Sequence, residues 1–193
     1  MRFDIITVFP DIFESYFAKS ILNRAHKRKI ISIGVHGLRE WGKGRHRQLD
    51  DKPYGGGAGM VLAAEPILKA VAAIRPKAKG SGGRQKVVIL SAKGRPFTQR
   101  LAYRWAKQLD QLILISGRYE GIDERARLAL KAEEVSIGPY VLTDGDVAAM
   151  VIVSAVARLV PGVIKLDSLA EESHWNLLQK QELENSAEKK GLE

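Results

Sequence analysis

The sequence contains no cysteine, only three methionines and three tryptophans, and aromatic residues make up 7% of it. Without cysteine there can be no disulfide framework, no thiolate metal site and no cysteine nucleophile. That absence fits a reducing compartment, so the expected location is the cytoplasm. Acidic residues are the second shortage: 22 Asp and Glu against 31 Lys and Arg leave a formal charge of +9 at pH 7. Such an excess favours a polyanionic partner, although a generally basic, solubilising surface would give the same count. Long apolar runs are also missing. None approaches the roughly 20 residues that span a bilayer, and Met1-Arg2-Phe3-Asp4 is not the start of a signal peptide. No membrane association is expected. What is present, 45% apolar and 27% charged residues over 193 positions, suffices for one main domain with a full core.

The apolar segments are short and rich in β-branched residues. Phe3 to Phe9, Ile30 to Val35, Lys86 to Leu90, Gln111 to Ile115 and Glu133 to Ser136 read as strands, the central ones buried on both faces. Between them, helical spacing is expected over Ile12 to Phe17, Ser20 to Lys29, Ala63 to Ile74, Thr98 to Lys107, Ile122 to Lys131 and Val147 to Leu159. This alternation predicts an α/β fold: a mostly parallel sheet with helices on both faces. Gly37 to Met60 reads as a long irregular loop, and Pro76 to Gln85 as a flexible basic linker. Arg24, His26, Lys27, Arg28 and Lys29 crowd into about one and a half helical turns. They form either a solvated helix end or a phosphate contact.

Two loops follow strand C-termini, where α/β sheets bind ligands. One is Ser116-Gly117-Arg118-Tyr119-Glu120-Gly121 and the other runs from Ser136 to Leu142. Each alone could hold ordinary turn glycines and half-buried tyrosines. Gly55, Gly56 and Gly57 suit close backbone approach to a ligand or partner. The phosphate-loop pattern GxxxxGK[ST] is absent. His46 has no second histidine or cysteine at ligand spacing, so no metal site is read there.

Taken together, GRYEGIDER (117–125) and SIGPYVL (136–142) resemble the bacterial tRNA (guanine-N1)-methyltransferases of the TrmD type, whose pattern is close to GRYEGxDER and SIGDYVLxGGE. RHRQLDDKPYGGGAGM (45–60) is similar to that family's RHRxxDDxPYGGGxGM. The resemblance covers the chain to about Leu178. It implies a SPOUT-type α/β-knot with a deep C-terminal trefoil knot and a two-fold homodimer whose active sites lie at the subunit interface. The implied reaction is methylation of N1 of the guanosine 3′ of the tRNA anticodon by S-adenosylmethionine, with Mg²⁺ a possible helper.

Carried over residue by residue, the donor site comprises Ile89, Leu90 and Ser91, then Gly117, Tyr119, Glu120 and Gly121. It continues with Ser136, Ile137, Gly138, Pro139, Tyr140, Val141, Leu142 and Gly145. Arg45, His46, Asp50, Tyr54, Gly55, Gly56 and Gly57 are implied near the substrate. Arg158 occupies the position of the family's arginine that contacts the reacting base, although an arginine after a helix can be only a dipole partner. Glu120 is the carboxylate to consider for a cation. The family's base is an aspartate shortly after PGV. Here, ungapped alignment puts Ser173 at that position, and one deleted residue puts Glu172 there. An acidic helix start without a role is the other reading.

The chain also departs from the family. Ala92 replaces a proline in the first donor segment, and Thr143-Asp144-Gly145-Asp146 stands where GGE is usual, with Asp144 an expected helix N-cap. Past Leu178 a polar ending, QKQELENSAEKKGLE, takes the place of a helical tRNA-gripping domain. Residues 1–163 are therefore expected to form the knotted donor-binding domain, and 164–193 a linker-like, partly disordered tail. Alternative readings are a knotted domain that binds donor or RNA with little turnover, and a scaffold retaining only the knot.

Overall fold

A computed structural model describes residues 1–52, 56, 59–75 and 83–164 of the chain. The strands are β1 (Arg2–Thr7), β2 (Ser32–Gly37), the short β3 (Asp50–Asp51) and β4 (Val61–Leu62), then β5 (Gln85–Pro96), β6 (Gln111–Ser116) and β7 (Glu133–Ser136). Five of them make one sheet in the order β2-β1-β6-β5-β7, with every neighbouring pair parallel. β3 and β4 pair antiparallel as a separate ribbon. The helices are α1 (Glu14–Phe17), α2 (Ser20–Lys27), α3 (Ala64–Ile74), α4 (Gln99–Gln108), α5 (Glu124–Leu130) and α6 (Asp146–Ala157).

Side chains alternate across the sheet with the two-residue period of a strand. Phe3, Ile5, Val88, Leu90, Leu112 and Leu114 face a core shared with α2, α4 and α6. Ile6, Val87, Ile89, Ile113 and Ile115 face the opposite core, under α3 and α5. Both faces are thus covered, which explains why β6 is apolar at four successive positions, Leu112 to Ile115, and buried throughout. Burying each such side chain stabilises the fold by about 1.5–3 kcal/mol. Among the described residues, no helix is long and apolar enough to cross a membrane.

Three local expectations are corrected. The strand expected to end at Leu90 continues through Ser91 to Gly94, and β5 runs on to Pro96. Leu90 and Arg95 both pair with Val135, so the residues between them bulge out of the ladder. Gly94 makes this possible, because a Cβ there would collide with the Val135 backbone. Second, Gly37 to Met60 is not irregular throughout. It holds a 3-10 turn over Leu38–Trp41, a reverse turn closed by Lys43 and Gln48, and β3, anchored by buried Leu38 and Leu49. Third, the helix expected over Ile122 to Lys131 is shorter at both ends. Asp123 caps it by accepting from the Arg125 amide, and Lys131 turns left-handed at φ 50. Most of the Pro76 to Gln85 linker and residues 165–193 lie outside the described residues.

Candidate active site

Three segments at the C-terminal ends of adjacent strands enclose a cavity of about 410 Å³. They are the β5 bulge, the loop from Gly117 after β6, and the loop from Ile137 after β7. Every residue expected to hold a donor lines this cavity except Pro139, which is exposed midway along the third loop. The β6 and β7 loops are tied together where Gly145 N donates to Gly117 O at 3.0 Å. Ser136 Oγ donates to Gly138 O (2.8 Å), and Tyr140 Oη donates to Ile137 O (3.3 Å), folding the third loop on itself. A Cβ on Gly138 would lie 2.3 Å from the Tyr140 ring, so a side chain there would push that exposed ring aside. Tyr119 sits at φ 59, a region costly for a bulky residue. Tyr119 and Tyr140 are each 53% exposed, and Val141 86%.

Arg118 is the residue the sequence did not single out. Its Nη2 donates to Asp144 Oδ2 (3.1 Å) and to Asp146 Oδ2 (3.3 Å), and the guanidinium lies 4.3 Å from the centre of the Phe9 ring. Asp146 is buried, and its other oxygen accepts from Thr7 Oγ1 at 2.7 Å. Asp144 Oδ1 accepts from the Asp146 amide (2.8 Å), but the N-cap expected at Asp144 falls one residue later, on Gly145. One guanidinium therefore joins the end of β1, the loop after β6 and the start of α6. The available signal was the pair of acids in Thr143-Asp144-Gly145-Asp146, a short distance from a loop carrying one arginine.

The glycine-rich segment ends against the same loop. Val61 bridges to Tyr119, Leu62 N donates to Gly121 O (2.9 Å), and Glu120 N donates to Met60 O (3.0 Å). Gly59, at φ 91, leaves room for Glu120, whose Cγ would lie 2.5 Å from a Cβ there. Asp50 is two hydrogen-bonded steps away, opposite Leu62 in the β3–β4 ribbon, and lines a separate cleft with Lys43, Glu65 and Arg125. Arg45 and His46 stand exposed on the reverse turn between Lys43 and Gln48, and neither lines the cavity. Gly56 is exposed at φ 77, whereas Tyr54, Gly55 and Gly57 lie outside the described residues.

Arg158 follows α6 directly. That helix begins at the cavity, which Gly145 and Ala148 line, and its 12 residues extend about 18 Å. Arg158 therefore stands at the end of α6 remote from its own chain's cavity. Glu172 and Ser173 lie outside the described residues. Below the cavity, side-chain hydrogen bonds from Arg125 hold the Asp123 carboxyl below the usual range against the opposing effect of burial. Among the described residues no three His, Asp or Glu side chains converge as a cation site.

A family model described as tRNA (Guanine-1)-methyltransferase TrmD matches residues 1–192. The chain is 51% identical to the tRNA (guanine-N(1)-)-methyltransferase of Chloroflexus aggregans, over 92% of this chain and 68% of that protein. Against the proteins of the same name from Thermomicrobium roseum and Chloroflexus aurantiacus it is 49% identical, covering 63% and 69% of their lengths. It thus spans about two thirds of these relatives. With the match running from the first strand past α6, the chain belongs to the tRNA (guanine-1)-methyltransferase TrmD family.

Proposed function

We propose that this chain methylates N1 of a guanosine in tRNA, the one 3′ of the anticodon, using S-adenosylmethionine. The observation that carries this reading is the convergence of the three motif loops on one cavity at the strand C-termini. The residues fit such a donor. Residues 117–121, 136–138 and 140–142 surround the cavity, glycines leave it open at 117 and 138, and Tyr119 and Tyr140 stand at its rim. When bound, S-adenosylmethionine supplies an activated methyl group on a sulfonium sulfur.

The chain's own residues supply the rest. The loops orient the reactants, which can be worth several kcal/mol of the barrier. Glu172 takes the N1 proton as general base. Arg158 offsets the negative charge that develops on the guanine O6. Glu120, at the rim, is the carboxylate left for a magnesium ion, because Glu124, Glu134 and Asp144 pair with Arg127, Lys93 and Arg118. One carboxylate does not build a cation site, and no step here runs through Mg²⁺.

The distance between Arg158 and its own cavity supports a two-fold homodimer in which a second copy completes each site. Asp50 and Glu172 would cross the same interface. An exposed apolar stripe supports this too: Val147 and Val151, one turn apart on α6, with Phe9, Ile12 and Tyr16 nearby in sequence before α2. The trefoil knot is part of the same reading. β7 lies outside β5, yet the following chain returns to Gly117 and α6 packs on β1 and β6. A connection that crosses the end of β5 in this way is the one we take to be threaded, against the usual avoidance of threading. Residues 1–163 form the donor-binding domain, residues 164–193 bring Glu172, and the protein works in the cytoplasm.

Calorimetric titration with S-adenosylmethionine tests the cavity. We expect one donor per chain, and loss of binding in Gly138→Val, whose side chain would displace the Tyr140 ring. Glu172→Ala should bind donor normally and lose methyl transfer. Donor binding unchanged by Gly138→Val would remove the cavity assignment, and transfer surviving Glu172→Ala would remove the base.

A further inference from the structure

A second groove, of about 730 Å³, opens at the opposite end of the sheet, where β1 and β2 begin and α4 ends. His26, Lys27 and Lys29 from the end of α2 and Lys107 from the end of α4 line it, with Asp110 its one acid. Asp110 is turned away into backbone, accepting from Arg84 N at 2.8 Å. Among the described residues no carboxylate pairs with Lys27, Lys29 or Lys107. Cations from two helices therefore face one concave surface without counter-charges.

Lys29 adds an independent observation. Ile30 N donates to Ala25 O and Lys29 N to His26 O, the paired bonds of a Schellman motif closing α2. Lys29 occupies its left-handed position at φ 59, where glycine is the favoured residue. The chain thus carries a lysine, with its side chain lining the groove, at a backbone position that glycine would fill with less strain. The groove also adjoins Arg158, because Val160, two residues further on, lines it.

We propose that this groove is a docking track for the phosphodiester backbone of the tRNA, separate from the donor cavity. The inference rests on the tRNA reading above. In the proposed dimer, the end of α6 that carries Arg158 serves the partner's cavity, so the cations beside it flank the RNA as it enters that cavity. Phosphates are the matching chemistry: lysines act as point charges toward them without reading sequence.

The test uses Lys29→Gly alone and combined with Lys27→Ala and Lys107→Ala. Lys69→Ala with Lys131→Ala, on other surfaces, serves as a control. Affinity for a tRNA transcript is followed by fluorescence anisotropy against salt concentration. Lys29→Gly should raise or preserve the thermal midpoint while weakening tRNA binding, which a purely structural role does not predict. The triple variant should bind tRNA about 5- to 30-fold more weakly near 0.1 M salt, with a log–log salt slope shallower by roughly 2. Donor binding should be unchanged. If wild type binds tRNA and the triple variant matches it in affinity and slope, or the control weakens equally, the docking track is overturned and the methyltransferase reading stands. If wild type neither binds nor methylates tRNA, both fall.

Discussion

Arg118 shows how single residues shape the cavity proposed for the donor. Its partners lie 26 and 28 positions away, so no local pattern could pair them. Removing the guanidinium leaves Asp146 buried without its cation. Arg118→Ala should cost about 1.5–3 kcal/mol, the worth of hydrogen bonds to charged groups, and weaken donor binding as the second loop loosens. Urea denaturation and calorimetry measure the two effects. Asp144→Gly, which restores the family's residue, should cost less because the Asp146 contact survives. At this scale the glycines were legible and their reasons were not. Gly138 read as a turn residue, but the Tyr140 ring against it appears only once the chain is folded, as does the Val135 backbone that excludes a side chain at Gly94.

The strands and helices were largely legible because burial imposes a period that a sequence displays. The exceptions arise from pairing across the sheet. β5 extends past Leu90 only because Val135 pairs twice, and the β3–β4 ribbon needs Leu62 opposite Asp50. A further element-level feature is Asp4, fully buried on β1. Burial alone would push its carboxyl up. Hydrogen bonds from His36 (2.8 Å), Arg2 and Gln111 (2.7 Å) outweigh that and hold it below its ordinary value. A depressed folded-state pKa means stability that is fully present above about pH 4, the ordinary aspartate range, and lost as pH falls through the lower folded value. The thermal midpoint should therefore drop on acidification below that range. Asp4→Asn should start lower at neutral pH and show a shallower drop, and an equal drop in both proteins would place the acid sensitivity elsewhere.

Across the whole molecule, periodicity identified strands without ordering them. The sheet order β2-β1-β6-β5-β7, which brings the three loops together, was not read from the sequence; the resemblance implied only that these loops share one site. Assembly adds another layer. Val147→Glu with Val151→Glu places charges on the apolar stripe of α6 and should yield monomers by sedimentation velocity, with donor binding retained and methyl transfer lost. Monomers that still methylate tRNA would show that Arg158 reaches the reacting base within one chain or is not needed.

The most direct measurement is transfer of label from S-adenosylmethionine to a tRNA transcript with guanosine 3′ of the anticodon, followed by nucleoside analysis. A transcript with adenosine at that position is run beside it. The cavity and its assigned residues predict label in 1-methylguanosine from the first transcript and none from the second. Label at another base or position would contradict the proposed reaction, as would donor binding without transfer to either tRNA.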